Sequence, residues 1–506
     1  MEANIPEPDA VNMGTALYDR AMNLSLATTP EEFHGLALAA IDLIAHYYRN
    51  LSDMPVMPAT TAVEVRQSLY EALPEEAGIP SEILKTVQDV IYPLCRHNGH
   101  PRFFGYISSP GSPATAVGEL LAAALNANVT SWRSAPAAAE LEHLVLDWLK
   151  GMIGYDLESG GLLVSGGSMA NFAALATART YVEETLAPKL SPDKRPALRI
   201  YVSEEGHFSI KKAAHLLGIG TANIQWIPTD AALRVNVVEM ERRVKADREA
   251  GLTPMCIVAN GGTTSTGAFD PIQELADIAE RYGLWLHVDA AYGGFAALAP
   301  SAKHMFSGIE RADSVSLDPH KWLYASVGCG CVLYRDAQVA ARTFAEEIDY
   351  TRPIGLRGDE AFAFWEFGPE LSRPFRALPL WLQLKLYGAR SLSAAIENNI
   401  TCARYFGQLV EDSADLELLA PVGLSVFCFR FRPVDYRGDL DALNERILII
   451  LQRAGSSYLS NTRVRCKFGL RGCVLNYRTT TQDMERLLDD VRDAARAALE
   501  AESYSE

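Results

Sequence analysis

Short runs of apolar residues alternate with helical segments over the middle of the chain. From about residue 113 onward these runs are rich in Val, Ile and Leu, and segments with helical spacing separate them. Because strands that are covered on both faces are almost continuously apolar, the alternation predicts an α/β fold with a mostly parallel, seven-stranded sheet. The predicted strands are Leu162–Val164, Arg199–Val202, Ile224–Ile227, Met255–Ala259, Trp285–Val288, Ser314–Leu317 and Cys329–Tyr334.

The helix predicted at Pro271–Tyr282 has clear boundary signals. Asp270 is its predicted N-cap, and Pro271 suits the first helical position. Gln273 would complete a capping box with the N-cap, and Gly283 would end the helix. These signals set the limits of the strands on either side.

Two helices are predicted ahead of the first strand. One spans residues 28–50, with Thr29 as its N-cap and Pro30 at the first helical position, and the other spans Ser81–Val90. Apolar residues recur at helical spacing in the first helix, at Phe33, Leu36, Ala40, Leu43, Ile44 and Tyr47. No sheet strand precedes these helices, so we expect a partner subunit to cover their apolar faces.

The chain changes character after the last strand of the sheet. Residues 335–370 mix Pro, Gly and charged residues, which predicts a long loop of the kind that is often functional. A smaller α+β unit is predicted beyond it, with helices at Leu378–Asn398 and Thr481–Leu499 and strands at Ser425–Phe431 and Lys467–Leu475. We therefore predict an N-terminal helical segment (1–112), a large domain (113–385) and a small C-terminal domain (386–506).

Composition excludes several classes of protein. The 506 residues are 48% hydrophobic and 22% charged, which disfavours a disordered chain and a membrane protein. The net charge of −17 argues against nucleic-acid binding, which needs clustered Lys and Arg. The N-terminal sequence has no signal-peptide pattern, so we expect a cytoplasmic protein. The eight cysteines form no CxxC pair, so we expect free thiols and no metal site.

Two ionisable residues follow neighbouring predicted strands. Asp289 ends the strand Trp285–Val288, and Lys321 comes shortly after Ser314–Leu317. A lysine can hold the aldehyde of pyridoxal 5′-phosphate (PLP) as a Schiff base, and a carboxylate can keep its pyridine nitrogen protonated. Either residue alone is as easily a helix cap or a surface charge, but together they indicate a PLP site.

Three further strand ends carry candidate cofactor ligands. Gly167 and Ser168 lead from a strand into a helix, whose free N–H groups could bind a phosphate. His207 follows the strand Arg199–Val202, and its ring could stack on a cofactor or simply occupy a loop. The hydroxyl-rich run at residues 263–266 could bind a cofactor oxygen or cap a turn.

The motifs Ser-Gly-Gly-Ser, Glu-Gly-His, Gly-Thr-Thr, His-Val-Asp-Ala-Ala-Tyr and Asp-Pro-His-Lys-Trp occur in this order. In this respect the chain resembles the group II PLP-dependent amino-acid decarboxylases, from about Phe33 to Leu499. The resemblance implies a PLP-dependent transferase of fold type I, working as a homodimer whose N-terminal helices wrap the partner. It also implies an enzyme that removes carbon dioxide from an amino acid.

The resemblance assigns a role to each candidate. Lys321 would form the Schiff base and Asp289 would face the pyridine nitrogen. The remaining cofactor contacts would come from His207 and Ala291 on the two ring faces, Gly167 and Ser168 at the phosphate, Thr264 at the ring hydroxyl, and His320 beside the Schiff base.

A tyrosine on the long loop completes the implied catalytic group. Tyr350 lies 29 residues after Lys321, where decarboxylases of this family have a tyrosine that helps to protonate the substrate carbon. A phenylalanine there would suggest the related aldehyde synthases. Asp318 departs from the family pattern, because aromatic decarboxylases of animals and plants have an asparagine that contacts the phosphate there. An ionised carboxylate would repel the phosphate, so Asp318 would turn away or bind through water.

The implied substrate pocket does not decide which amino acid is the substrate. An apolar wall would come from Phe103, Phe104, Tyr106 and Trp132, while Asn128 and Thr130 replace bulky apolar residues of animal aromatic decarboxylases. We favour an aromatic substrate, namely tryptophan, tyrosine, DOPA or phenylalanine. The alternatives are an acidic amino acid (glutamate, aspartate or cysteine sulfinate), an oxidative aldehyde synthase, and a PLP-binding protein without activity.

Overall fold

The computed structural model describes Leu26 and residues 28–186, 196–346 and 358–503. The first helices precede any strand, as predicted. Helix α1 (Pro30–Asn50) has Thr29 as its N-cap and a complete capping box with Glu32. Helices α2 (Ala62–Leu69) and α3 (Pro80–Thr86) follow, and α3 continues as a π-helical turn, Val87–Ile91. Only Gly35 is buried in α1 and no residue is buried in α2, so their apolar faces are at most partly covered in the single chain.

Seven strands form the large sheet, in the order β1-β7-β6-β5-β4-β2-β3. Strand β7 runs antiparallel to β1 and β6, and the pairs from β6 to β3 are parallel. The strands are β1 (Gly160–Val164), β2 (Leu198–Ser203), β3 (Ile224–Ile227), β4 (Thr253–Asn260), β5 (Trp285–Asp289), β6 (Ser314–Leu317) and β7 (Gly330–Tyr334). All seven lie within two residues of the predicted bounds, so the predicted sheet is confirmed.

Helices cover both faces of this sheet. After α4 (Pro113–Leu125), which packs on the later helix Ala377–Glu411, they are α5 (Pro136–Ile153), α6 (Gly167–Leu186), α7 (Phe208–Leu216), α8 (Val237–Glu249), α9 (Ile272–Tyr282) and α10 (Ala337–Phe344). The strands are almost fully buried because their residues pack on helices from both sides.

The predicted cap of α9 is wrong. Asp270 makes no capping bond to the helix, and Gln273 completes no capping box, since the helix begins at Ile272 with Pro271 at the N-cap position. The buried carboxylate of Asp270 instead accepts hydrogen bonds from Val235 N at 2.7 Å and Asn260 N at 2.8 Å. It therefore ties β4 to the loop before α8.

The long loop predicted at residues 335–370 is also wrong in part. Helix α10 occupies its beginning, with Asp336 as the N-cap, and two short 3₁₀ turns lie at Gly358–Ala361 and Phe364–Phe367.

The C-terminal unit contains a second, antiparallel sheet in the order β10-β11-β9-β8. A long helix, α11 (Ala377–Glu411), leads into it and is broken at Gly388, where φ is 71°. The other elements are β8 (Leu416–Leu418), β9 (Val426–Phe431), α12 (Leu440–Ala454), β10 (Ser460–Val464), β11 (Lys467–Cys473) and α13 (Thr481–Ser503). The sequence predicted β9, β11 and α13 but missed the short strand β8, the edge strand β10 and helix α12.

All eight cysteines are free thiols, as expected, and six of them are buried. In the described ranges, no helix is long and apolar enough to cross a bilayer. The same ranges contain no group of His, Cys, Asp and Glu side chains arranged to hold a metal ion.

Candidate active site

A cavity of about 310 Å³ opens at the carboxyl edge of the large sheet. Parallel strands all end at this edge, so residues far apart in sequence meet there. The cavity brings together eight predicted residues: Gly167, Ser168, His207, Thr264, Asp289, Ala291, His320 and Lys321. The residues that were assigned to the cofactor are thus neighbours in space.

Asp289 ends β5 and is held by three donors. Its Oδ2 accepts from Asn171 Nδ2 at 2.7 Å, and its Oδ1 accepts from Ser316 Oγ at 3.1 Å and from Ala291 N at 3.2 Å. Burial alone would raise the pKa of this carboxyl, but it is lowered overall by His207 and His287, which are protonated at the low pH where a carboxyl titrates, by Lys321 and by the hydrogen bond from Asn171. Asp289 is therefore a buried carboxylate that is ionised at neutral pH.

Asn171, on α6, connects two sides of the cavity. Its Nδ2 donates to Ser209 Oγ at 2.9 Å as well as to Asp289, so its Oδ1 must accept from His287 Nε2 at 2.9 Å. The other ring nitrogen of His287 then accepts from Ser314 Oγ at 2.9 Å. Full burial lowers the pKa of His287 to about 4, so its ring is neutral at neutral pH.

His207 is the N-cap residue of α7, and its ring position is fixed by that role. Its Nδ1 accepts from Ser209 N at 3.3 Å and lies 2.7 Å from Ser209 Oγ. Because Nδ1 accepts, the proton of the neutral ring is on Nε2. Burial lowers the pKa of His207 below its usual range, which keeps the ring neutral. A neutral, flat ring suits stacking on an aromatic cofactor.

Lys321 lies in the turn after β6 and faces a carboxylate. Its Nζ is 2.8 Å from Oδ2 of Asp318, and its side chain keeps a fifth of its surface exposed. The turn itself is closed by the bond from Lys321 N to Asp318 O at 2.8 Å. The amine is therefore held at the cavity while remaining accessible to a reacting group.

His320, next to Lys321, is oriented by a backbone carbonyl. Its Nδ1 donates to Cys329 O at 2.7 Å, which leaves Nε2 unprotonated in the neutral ring. Burial lowers the pKa of His320 as well. Both histidines of the cavity are consequently neutral acceptors or donors rather than cations at neutral pH.

Gly167, in the turn before α6, has no room for a side chain because Asp318 and Ala291 pack against it. A Cβ on Gly167 would lie 2.7 Å from Asp318 Oδ2 and 2.9 Å from the Ala291 Cβ. Gly167 begins α6 and Ser168 follows, and both line the cavity, so the first backbone N–H groups of this helix are available to a phosphate. The turn, the carboxylate of Asp289 and the amine of Lys321 together fit PLP.

The six residues predicted to form the substrate pocket do not line this cavity. Phe103 packs on Tyr458, with ring centroids 5.5 Å apart, and Phe104 is fully buried in the core of the C-terminal unit. Tyr106 is half-exposed, with its hydroxyl 3.4 Å from that of Tyr458. Their contact with a substrate therefore stays a prediction.

The other three predicted pocket residues lie elsewhere. Asn128 and Thr130 line a second cavity of about 440 Å³, and Trp132 donates from Nε1 to Glu140 at 2.8 Å. Asn128 Oδ1 also accepts from Arg373 N at 2.8 Å. Tyr350, the predicted proton donor, lies outside the described residues.

Comparison with known proteins identifies the family. Residues 63–432 match the family described as the pyridoxal-dependent decarboxylase conserved domain. This chain therefore belongs to the pyridoxal-dependent decarboxylases, and it is an enzyme that uses pyridoxal phosphate to remove a carboxyl group. The predicted family, fold class and cofactor are confirmed.

Individual relatives cover nearly the whole chain. An aromatic-L-amino-acid decarboxylase of Bacillus atrophaeus is 34% identical over 476 residues, which is 94% of this chain and 98% of the relative. A phenylacetaldehyde synthase of Petunia hybrida is 33% identical over 461 residues, 88% of this chain and 90% of the relative. Tryptophan decarboxylase of Catharanthus roseus, solved in complex with L-tryptophan, has a TM-score of 0.86 and 31% identity, and the match covers 93% of this chain and 99% of that one.

Proposed function

We propose that this enzyme decarboxylates an aromatic L-amino acid, namely tryptophan, tyrosine, DOPA or phenylalanine, to the corresponding amine. The observation that carries the proposal is the single cavity lined by Asp289, Lys321, His207 and the Gly167–Ser168 turn. Relatives that act on aromatic amino acids support the substrate class.

PLP, when bound, supplies an electron-withdrawing ring that accepts the electron pair left on the substrate when carbon dioxide departs. We assign the covalent attachment of the cofactor to Lys321, whose amine is accessible in the cavity. Asp289 holds the proton on the ring nitrogen, because its carboxylate stays ionised in a buried site. The positive charge that Asp289 would keep on the ring nitrogen stabilises the negative charge that develops on the substrate carbon.

The remaining cavity residues position the ring and exclude water. His207 would stack on one ring face with Ala291 on the other, and Thr264 would lie at the ring hydroxyl. Gly167 and Ser168 would hold the phosphate at the N-terminus of α6. The unprotonated Nε2 of His320 would accept a hydrogen bond beside the reacting amine, in the ring orientation fixed by Cys329 O.

Tyr350 delivers the proton that replaces the carboxyl group, directly or through water. This assignment separates an amine product from the second candidate function, the oxidative aldehyde synthase. The phenylacetaldehyde synthase among the relatives favours that second candidate, whereas the tyrosine favours the decarboxylase.

An acidic substrate is disfavoured by charge. A second carboxylate on the substrate would need a cation to bind it, and no arginine occurs among the described residues that line the cavity. Lys321 is already assigned to the cofactor.

We further propose that the enzyme is a cytoplasmic homodimer. Phe33, Leu38 and Ile41 on α1 expose about half of their surface each, and Val117 and Leu125 on α4 expose more than half. Apolar surface of this extent is stabilised when a second copy covers it. In this arrangement residues 1–112 wrap the partner, 113–385 form the PLP-binding domain and 386–506 the small domain. Sedimentation of the loaded protein at about twice the 55.4 kDa of one chain supports the dimer, and a monomer contradicts it.

A substrate panel tests the proposed function. The PLP-loaded protein is assayed for carbon dioxide, amine and peroxide with tryptophan, tyrosine, DOPA, phenylalanine, histidine, glutamate, aspartate and cysteine sulfinate. Aromatic amine without peroxide is expected. Aldehyde with stoichiometric peroxide would support the synthase, and carbon dioxide from acidic substrates alone would refute the aromatic assignment.

A further inference from the structure

Asp318 places a second carboxylate at the glycine turn. It is 1% exposed and lies between the turn before α6 and the amine of Lys321. Its Oδ2 is 2.7 Å from the position that a Cβ of Gly167 would take. The proposed phosphate site therefore has a buried acid as its immediate neighbour.

The two carboxylate oxygens of Asp318 differ in their contacts. Oδ2 pairs with Lys321 Nζ at 2.8 Å, whereas Oδ1 is buried and has no hydrogen-bond partner among the described residues. A buried oxygen without a donor is costly unless a ligand supplies one. Oδ1 is therefore an acceptor available to a donor that arrives with the cofactor.

The charges near Asp318 do not balance an incoming phosphate. The titratable side chains around it are His207, Asp289, His320, Lys321, Cys329 and Cys331. Burial lowers the pKa of both histidines and raises the pKa of both thiols, so all four are neutral near neutral pH. Among these side chains, Lys321 is therefore the one that can offer Asp318 a positive charge.

Attachment of the cofactor weakens the ion pair between Lys321 and Asp318. Once Lys321 is bonded to the cofactor, it no longer offers Asp318 a free ammonium group with three donors. The N-terminus of α6 contributes only about half a unit of positive charge. A carboxylate and a phosphate dianion would then repel each other, whereas a phosphate monoanion carries an O–H that can donate to Oδ1.

We propose that Asp318 and the cofactor phosphate share one proton, so that the enzyme takes up a proton on loading and binds PLP less tightly as the pH rises. The inference rests on the proposed placement of the phosphate at Gly167 and Ser168. The second ionisation of a phosphate monoester lies near pH 6, so this proton must come from solvent at pH 8. Asp318 thereby makes cofactor loading sensitive to pH.

Titration of the cofactor-free full chain with PLP tests the proposal. Calorimetry at pH 8 in two buffers of different ionisation enthalpy gives the protons taken up per cofactor, and dissociation constants are measured from pH 6 to 8.5. The isosteric variant Asp318→Asn removes the charge and keeps the shape. Asp336→Asn is the control, because it removes an acid outside the cavity at a helix cap that asparagine can replace.

The wild type is expected to take up about one proton more than Asp318→Asn. The dissociation constant of PLP from the wild type, divided by that from Asp318→Asn, should rise by up to about tenfold per pH unit. The Asp336→Asn protein should follow the wild type. A ratio that stays constant across this range would overturn the shared proton.

A second measurement needs no variant. The ³¹P resonance of the loaded wild type at pH 8 is compared with free PLP titrated across its second phosphate ionisation. A bound resonance at the monoanion position supports the proposal, and one at the dianion position contradicts it. Failure of the wild type to bind PLP at all would instead refute the proposed function on which the inference depends.

Discussion

Asn171 donates a hydrogen bond of 2.7 Å from Nδ2 to Oδ2 of Asp289. The same amide group donates to Ser209 Oγ, which lies 2.7 Å from Nδ1 of His207. One side chain on α6 thus orients both the carboxylate assigned to the ring nitrogen and the imidazole assigned to the ring face. The cofactor site therefore depends on Asn171, although the Asn171 side chain carries no charge.

Replacing Asn171 should weaken the site. Asn171→Ala leaves a buried carboxylate short of one donor, and a hydrogen bond to a charged group contributes about 1.5–3 kcal/mol. We expect kcat/KM to fall about 10- to 100-fold. Steady-state kinetics at saturating PLP measures this. Thr177→Val, a buried change on the same helix that does not line the cavity, is the control, and an equal loss in both variants would mean that α6 is merely destabilised.

Asp289→Asn should leave PLP bound but slow turnover. The neutral amide keeps the shape of the carboxylate and removes the charge that holds the ring nitrogen protonated, so we expect a loss of at least about 100-fold in kcat. Absorbance of the bound cofactor and carbon dioxide release are measured on the same sample. Unchanged turnover would restrict Asp289 to a structural role. Asp336→Asn again serves as the charge control.

His287 should make the fold less stable in acid. Its pKa is about 4 in the folded chain and near 6.5 in the unfolded chain, so the unfolded chain binds more protons between these values. Stability is therefore retained above pH 6.5 and lost as the pH falls toward 4, by up to about 3 kcal/mol at about 1.4 kcal/mol per pH unit. Denaturant unfolding at pH 7 and pH 5 measures the loss.

The variant His287→Gln has no imidazole to protonate, so its loss of stability between these two pH values should be smaller than that of the wild type. The exposed His304→Gln is the control and should follow the wild type. Equal losses in all three proteins would show that other groups control the acid sensitivity.

Tyr350→Phe should divert the product. Without the hydroxyl, protonation of the substrate carbon slows, and oxygen competes for the same carbon. We expect amine to give way to aldehyde, ammonia and peroxide, as measured by chromatography and a peroxidase-coupled assay. The exposed Tyr70→Phe is the control and should give amine alone. Amine at the normal rate from Tyr350→Phe would remove this residue from the mechanism.

The sheet and the cofactor residues could be predicted because each depends on a local pattern. Asp289 and Lys321 follow adjacent strands, and Asp289 pairs in register with Ser316, so the ends of two short apolar runs bring them together. Asn171 was missed because it lies in an ordinary helical stretch and meets Asp289 across 118 positions of sequence. Asp270 was misassigned because its hydrogen bonds from Val235 and Asn260, 35 and 10 positions away, outweigh the local capping pattern.

Helix α10 was missed although its signal was present. Asp336 precedes an Ala-rich stretch and caps it. The Pro and Gly residues further along the chain, however, favoured a loop prediction for the whole region. The substrate pocket could not be read from single residues, because Phe103 and Phe104 satisfy the same apolar pattern by packing against the C-terminal unit. Apolar character alone does not distinguish a wall of a binding site from a core.

The lysine that holds the cofactor can be identified by reduction and mass spectrometry. The loaded full-length enzyme is treated with borohydride, which makes the bond between lysine and cofactor permanent, and its peptides are analysed by mass spectrometry. We expect a pyridoxyl group on Lys321, and loss of both this label and carbon dioxide release in Lys321→Ala. A label on Lys211 or Lys212 beside His207, or full turnover by Lys321→Ala, would contradict it.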